Sequence, residues 1–117
     1  MAKRKARPIL EDMLAYAEEP RAILGDRDGT TLRSDRIRLL AVTRAVEIVG
    51  EAANQLPTAI ANQLPFDIKP AIAMRHRLIH GYDSVSADIV AKTVANDFPG
   101  LITALRRTLA APLPDGS

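Results

Sequence analysis

Apolar residues recur at helical spacing from the start of the chain. Pro8 suits the first position of a helix, and the apolar positions that follow it lie on one face as far as Pro20: Ile9, Leu10, Met13, Leu14 and Ala17. Residues 21–24 can extend this helix beyond Pro20. Residues 25–30, Gly-Asp-Arg-Asp-Gly-Thr, have turn-forming composition, which predicts an exposed connection.

A second helix is predicted from Ser34 or Asp35 to just before Pro57. Its apolar stripe continues for roughly five turns and comprises Ile37, Leu40, Ala41, Ala45, Ile48, Val49, Ala52 and Leu56. This is the longest periodic signal in the first half of the chain.

Three further helices are predicted in the second half. Residues 57–64 form a short one that opens at a proline, and a fourth follows Pro70 and ends at Gly81, where a left-handed backbone would stop it. Ser86 is a candidate N-cap for the fifth, which Pro99 should kink. Its predicted core face comprises Ile89, Val90, Val94, Phe98, Leu101, Leu105 and Leu109.

Composition supports an all-α fold. Hydrophobic residues make up 47% of the 117 residues but aromatic residues only 3%, so the core must be aliphatic, which suits packed helices. The length fits one domain. We therefore predict an up-down bundle of about five helices over residues 8–111, a basic arm over residues 1–7 and a disordered tail over residues 112–117.

The net charge is only +2, but basic residues crowd the N-terminus: Lys3, Arg4, Lys5 and Arg7. Such an arm can contact phosphates, and it can equally be a solvated, disordered tail. The sequence has no cysteine, no apolar run of the roughly 18 residues that span a bilayer, and no signal-peptide core at its start. These features predict a cytoplasmic protein without a membrane partner.

Polar chemistry is concentrated in residues 74–82, MRHRLIHGY, which contain both histidines of the chain and one of its two tyrosines. His76 and His80 have the i, i+4 spacing of a zinc pair, but no HExxH glutamate lies between them and no cysteine exists, so we predict no metal and no cofactor. Nothing marks Ser84 or Ser86 as an activated nucleophile. Phosphate chemistry fits better, because Arg75 can bind phosphate oxygens while a histidine moves a proton.

The spacing within this segment favours a dimer. At about 100° per residue, Arg75 and His80 lie about 140° apart around a helix and do not share a face. A two-fold axis beside the helix could bring Arg75 of one chain towards His80 of the other. Glu47 and Glu51, one turn apart on the second helix, are candidates to orient Arg75 by an ion pair, and the alternative is that they are solvated surface charges.

The order Arg75, four residues, His80, Gly81, Tyr82 resembles the R-x4-H-x-Y motif of HepT-type HEPN ribonuclease toxins. Three blocks are similar to family segments in the same order: VEIVGEAANQLP at 46–57, IAMRHRLIHGYDSV at 72–85 and DIVAKTVANDFPGL at 88–101. The resemblance covers nearly everything from residue 35 to residue 109, with a weaker match in the first helix.

The resemblance implies a HEPN helical bundle that acts as a homodimeric RNA-cleaving toxin, with a minimal nucleotidyltransferase as its antitoxin partner. Arg75 would hold the scissile phosphate, and His80 would serve as general acid or base for attack by the ribose 2′-hydroxyl. Tyr82 would be the site at which the antitoxin attaches AMP. His76 departs from the family, which usually has Asn there, and it could add a second titrating group in support of the site or simply pack.

Two alternatives belong to other functional classes. One is a catalytically silent HEPN module that binds a nucleotidyltransferase, and the other is a dimeric helical scaffold. The joint presence of Arg75, His80 and Tyr82 favours the ribonuclease, because a silent module has less need of all three and a scaffold has no need to gather both histidines at one helix end.

Overall fold

The structure, a computed structural model, describes residues 5–81 and 85–113, and these ranges contain helices and connecting turns but no strand. The predicted all-α fold is confirmed. The elements in order are α1 (Ala6–Leu24), α2 (Gly29–Arg33), α3 (Arg36–Asn54), α4 (Thr58–Ala61), α5 (Lys69–His80), α6 (Ala87–Lys92), a π-helical segment (Thr93–Asp97) and α7 (Phe98–Leu109). None of these helices is both long and apolar enough to cross a membrane.

The core lies where α1 packs on α3 and on the continuous run from α6 to α7. Its largest fully buried side chains are aliphatic, as the composition requires: Ile9, Leu10, Met13, Leu24, Leu32, Val42, Val49, Val90, Val94 and Leu105. Removal of this surface from water supplies the main driving force for folding. No polar or charged side chain of the described residues is fully buried.

Helix α1 is longer than the predicted core segment at both ends. It begins at Ala6, so Pro8 lies in the first turn, where its missing N–H costs no helical hydrogen bond. It continues through Pro20 to Leu24, which confirms the extension considered from the sequence. Pro20 and Leu24 are both buried, and this packing offsets the hydrogen bond that a proline inside a helix removes.

Arg7 does not belong to a free basic arm. Its guanidinium donates hydrogen bonds to the backbone oxygens of Leu109 (3.1 Å) and Ala111 (3.2 Å), at the end of α7. A cation at this position satisfies carbonyl groups that have no partner within their own helix. Residues 6 and 7 of the predicted arm are therefore part of α1, while Lys3 and Arg4 lie outside the described residues.

The predicted exposed connection at residues 25–30 is only partly correct, because α2 begins inside it. Asp28 caps α2, and its carboxylate accepts hydrogen bonds from the backbone N–H and the hydroxyl of Thr31 (2.9 Å each). The backbone N–H, followed by the hydroxyl, holds the pKa of Asp28 below its usual value. Gly29 and Leu32 are buried, so this short helix is part of the packed structure.

Helix α3 starts after its N-cap Asp35 and ends before Pro57, as predicted. The predicted apolar stripe is correct for its second half, where Val49 and Ala52 are buried. It is wrong for the first half, since Ile37 is 81% exposed and Leu40 is 54% exposed. No other helix of the described residues covers that face of the first turns of α3.

The middle helices are shorter than the sequence suggested. The predicted third helix over residues 57–64 is reduced to Thr58–Ala61, followed by turns. Helix α5 ends at His80, directly before Gly81, as expected. The reason given for this end is wrong, because Gly81 has φ −143° and is not left-handed.

The last helical run begins at the predicted N-cap, where the Ser86 hydroxyl accepts a hydrogen bond from the N–H of Ile89. The irregularity expected at Pro99 takes the form of the π-helical segment just before it, whose wider turn bonds the N–H of Phe98 to the carbonyl of Thr93. Of the predicted core face, Val90, Val94, Phe98 and Leu105 are buried, and Ile89, Leu101 and Leu109 are half-buried. Residues 112 and 113 lie beyond α7, and residues 114–117 are outside the described part of the chain.

Candidate functional site

The cluster predicted from residues 74–82 lies on the second half of α5. Pro70 occupies the first turn of this helix, and Gly81 ends it. Helix α5 packs mainly on α3, and none of its 12 residues is fully buried. The helix that carries Arg75 and His80 is therefore an outer layer of the bundle, with its polar face open.

Arg75 lies where α5 comes closest to α3. A Cβ atom built on Gly50 of α3 would overlap with the Cβ of Arg75 and with the backbone oxygen of Ala71. Only a residue without a side chain permits this approach. Gly50 therefore sets the distance between α3 and α5. This distance fixes the position of the Arg75 backbone, from which its side chain projects.

The Arg75 side chain leaves this contact half-buried. Its Nε is buried and has no hydrogen-bond partner, and Arg75 forms no ion pair within residues 5–81 and 85–113. A buried guanidinium nitrogen without an acceptor is energetically costly, so an incoming anion would gain from binding it. The positive charge of Arg75 is thus uncompensated by any described carboxylate.

Glu47 and Glu51 do not orient Arg75, contrary to one of the two interpretations of the sequence. Arg44 forms an ion pair with Glu47 (2.7 Å) and lies 4.0 Å from Glu51. The hydrogen bond and charge of Glu47 raise the pKa of Arg44. Arg44 pairs with these carboxylates because it lies on the same helix, three residues before Glu47. Arg75 would have to reach them from α5.

His80 occupies the last turn of α5 and is exposed, together with His76 one turn earlier. The two rings lie side by side, with their centres 4.5 Å apart and their planes tilted by 44°. Arg75 and His80 differ by about 140° around the helix, so one chain presents its arginine and its paired histidines on different faces. His76 is thus brought to His80 and not to Arg75.

A groove beneath α5 contains none of these polar groups. A cavity of about 580 Å³ lies between α3, α5 and the π-helical segment, with an apolar lining that includes Val46, Phe66, Met74, Phe98 and Leu101. Neither Arg75 nor His80 lines it. Arg75 and His80 therefore both lie outside this cavity.

Tyr82, the candidate modification site, lies outside the described residues. Within those residues, no cluster of three or more histidine, aspartate or glutamate side chains has the geometry to hold a metal ion. The residue that the sequence reasoning missed is Gly50. Its one signal was a glycine within the otherwise aliphatic and alanine-rich stripe of the second predicted helix.

Known proteins resemble this chain over most of its length. A protein of Methanocaldococcus jannaschii named "Putative RNase MJ0125" is 30% identical over 100 residues, which cover 85% of this chain and 86% of that protein. One of Thermococcus cleftensis named "Probable ribonuclease HepT" is 31% identical over 100 residues, covering 85% of this chain and 91% of the relative. No solved structure gave a significant match.

The family comparison agrees with the fold and the motif. A family model described as ribonuclease HepT-like matches residues 13–108, which include α1 from Met13, the close contact of α3 with α5, and nearly all of α7. The resemblance seen in the sequence, and the enzyme class that it implied, are confirmed. The chain therefore belongs to the ribonuclease HepT-like family, a family of RNA-cleaving enzymes.

Proposed function

We propose that this chain is a metal-independent endoribonuclease toxin that cleaves RNA with Arg75 and His80 in the cleft of a homodimer. The observation that carries the proposal is the chemistry of α5. Its second half holds Arg75, Arg77 and both histidines, and the helix contains no acidic residue. A cationic helix without carboxylates attracts a phosphate backbone.

In this proposal, Arg75 binds the non-bridging oxygens of the scissile phosphate. Its unpartnered guanidinium nitrogen and its lack of a described carboxylate partner leave that charge for the substrate. The ribose 2′-oxygen attacks phosphorus, and the bond from phosphorus to the 5′-oxygen breaks. The products are a 2′,3′-cyclic phosphate and a free 5′-hydroxyl.

His80 moves the protons in this reaction. Its ring is exposed at the end of α5, where an RNA strand can reach it. An imidazole that titrates near neutral pH can accept the 2′-hydroxyl proton or protonate the leaving 5′-oxygen. The proposal assigns no proton-transfer step to His76.

Two features support a second copy of this chain as the partner of α5. First, Arg75 and His80 lie on different faces, so a complete site is more easily built from two protomers. Second, Ile37, Leu40 and Ile79 are 81%, 54% and 39% exposed, which is costly for large aliphatic side chains unless another surface covers them. The separation of Arg75 from His80 and the exposed aliphatic side chains therefore both support a dimer.

The toxin role and its control rest on the resemblance of the motif. Tyr82 follows the end of α5 by two residues, so a group attached to it would lie near His80 along the chain. An AMP group transferred there by a cognate minimal nucleotidyltransferase would add a bulky anion two residues after the end of α5 and block access of RNA. A toxin that cleaves cellular RNA would act in the cytoplasm.

The proposal is tested with purified chain and RNA in the presence of EDTA. We expect cleavage that yields 2′,3′-cyclic or 3′-phosphate ends, and loss of cleavage in Arg75→Ala and His80→Ala variants that keep the helical circular dichroism of the wild type. Activity that disappears in EDTA and returns with magnesium would contradict the mechanism. A wild-type chain without activity that still binds a nucleotidyltransferase would identify the silent module instead.

A further inference from the structure

His76 and His80 form an open pair of nitrogen ligands that the proposed ribonuclease chemistry does not use as a pair. They lie one turn apart on the same face of α5, both side chains are exposed, and their ring centres are 4.5 Å apart. Within residues 5–81 and 85–113, neither imidazole forms a hydrogen bond or an ion pair, so their nitrogen lone pairs are open to solvent.

We propose that His76 and His80 together bind one divalent transition-metal ion, of the Zn²⁺ or Cu²⁺ class. An ion bonded at about 2.0–2.1 Å to one nitrogen of each ring would lie about 3.2 Å from both ring centres. Ring centres about 4.5–5.2 Å apart then correspond to nitrogen–metal–nitrogen angles from square to tetrahedral. The observed separation of 4.5 Å lies at the square end of this range.

The position of the pair near the C-terminal end of α5 also favours a cation. The carbonyl groups at the end of a helix carry a partial negative charge, and the pair lies within the final turn and a half before Gly81. Arg77 lies in the same turns and opposes this attraction. Imidazole nitrogen is a preferred ligand of Cu²⁺ and Zn²⁺, and Cu²⁺ binds such sites more tightly than Zn²⁺.

Two protein ligands make an exchangeable site and not a structural one. No described group of three or more metal-binding side chains includes the pair, so water would complete the coordination of the ion. The core is built without this helix face, and no residue of α5 is fully buried. The fold therefore does not depend on the ion. Occupancy of the site should rise and fall with the concentration of free metal ion.

The functional consequence rests on the role proposed for His80. An imidazole nitrogen bonded to a metal ion has no lone pair left to accept a proton, and the ion repels the positive charge that proton transfer would create. Arg75 projects from another side of α5 and remains able to hold phosphate. Binding of Zn²⁺ should therefore stop cleavage chiefly by lowering kcat, and a chelator should restore it.

The binding itself is tested without reference to activity. Untagged chain is titrated with CuSO4 and with ZnCl2 by calorimetry, and the Cu²⁺ form is examined by electron paramagnetic resonance. We expect one ion per chain, hyperfine structure from two nitrogens, and at least about tenfold weaker binding in His76→Asn, because chelation by two linked ligands is lost. Equal affinity of the wild type and His76→Asn would overturn the site.

Inhibition is tested as the ratio of the cleavage rates with and without ZnCl2, measured separately for each protein. This ratio corrects for any change that a substitution makes to the zinc-free rate. The wild type should lose most of its cleavage rate in ZnCl2 and recover it when EDTA is added. The ratio of the two rates should stay close to one for His76→Asn. Equal inhibition of both proteins would show that zinc acts elsewhere than at the paired histidines and contradict inhibition through this pair.

The two tests separate the metal site from the proposed ribonuclease activity. If the wild type cleaves no RNA under any condition, the proposed function fails, and calorimetry still decides whether His76 and His80 bind metal. If RNA is cleaved but the wild type and His76→Asn bind copper and zinc identically, the metal site fails alone.

Discussion

Gly50 of α3 lies directly against Arg75 of α5, so closely that a single added Cβ would overlap with the Cβ of the arginine and with the carbonyl oxygen of Ala71. The helix that carries the proposed catalytic residues thus packs directly against a glycine. Neighbouring positions on α3, Val46 and Val49, are buried and aliphatic, and they anchor that glycine in the core.

Gly50→Ala should lower kcat for RNA cleavage on the order of 10–100-fold, because α5 must move and a displacement of about 1 Å is enough for such a loss. KM should change less, since the cationic surface that attracts RNA remains. Overpacking should also cost about 1–3 kcal/mol of unfolding free energy. Initial rates at saturating RNA, measured well below the unfolding temperature, separate the two effects.

Two other glycines provide matched controls. A Cβ on Gly29 would overlap with the backbone of Asp88, so Gly29→Ala imposes comparable overpacking at a contact that does not involve α5. Nothing lies within 4 Å of a Cβ on Gly100, so Gly100→Ala should be tolerated or stabilise by about 0.5–1 kcal/mol. A wild-type kcat in Gly50→Ala, or an equal loss in Gly29→Ala, would count against a positioning role.

Glu47→Gln should leave RNA cleavage unchanged, because the Glu47 carboxylate pairs with Arg44 and not with Arg75. The loss of this pair should cost no more than about 0.2–1 kcal/mol, since the Arg44 side chain is 60% exposed and solvent screens the interaction. Thermal unfolding and cleavage rates measured side by side test this. A large fall in kcat would revive the role of Glu47 as the partner of Arg75, formed only when RNA or a second chain is bound.

Substitution of both Ile37 and Leu40 by glutamate should convert the dimer to a monomer, because four buried charges would face each other across the proposed contact. Light scattering at micromolar concentration measures the change. The fold should persist, since both side chains are more than half exposed in the single chain. A wild-type chain that is already monomeric would exclude the dimer.

A mixture of variants tests whether the two protomers share a site. Arg75→Ala and His80→Ala chains are each expected to be inactive alone. A mixed dimer of a shared-site enzyme keeps one site with both functional residues, so a random mixture should recover about a quarter of the wild-type rate. If each chain builds its site alone, the mixture will remain inactive.

Tyr82 should accept AMP when the chain is incubated with ATP, magnesium and a nucleotidyltransferase encoded beside it. The modified chain should lose RNA cleavage, because AMP adds a bulky negative charge that repels the RNA backbone, and it should keep the unfolding temperature of the unmodified chain. Mass spectrometry of the peptide that contains Tyr82 locates the modification, and Tyr82→Phe should remain active after the same treatment. A Tyr82→Phe chain that is silenced as fully as the wild type would place the modification elsewhere.

The sequence alone was sufficient to predict an all-helical domain, the start of α3 near Asp35, the end of α5 at His80, the N-cap Ser86, and the concentration of Arg75 and His80 on one helix. These features depend on local chemistry: apolar spacing, capping hydroxyl or carboxylate groups, and a motif contained within nine residues. The family resemblance was visible for the same reason, since its blocks are continuous segments.

Tertiary structure decided everything that depends on which elements meet. Periodicity placed Ile37 and Leu40 in the core, but no described helix covers the start of α3, so they are exposed. Residue type suggested a pair between Glu47 and Arg75, but Arg44 lies closer on the same helix. Gly50 has no local reason to be a glycine. Its role exists only because α5, some 20 residues later in the chain, packs against it without space for a side chain.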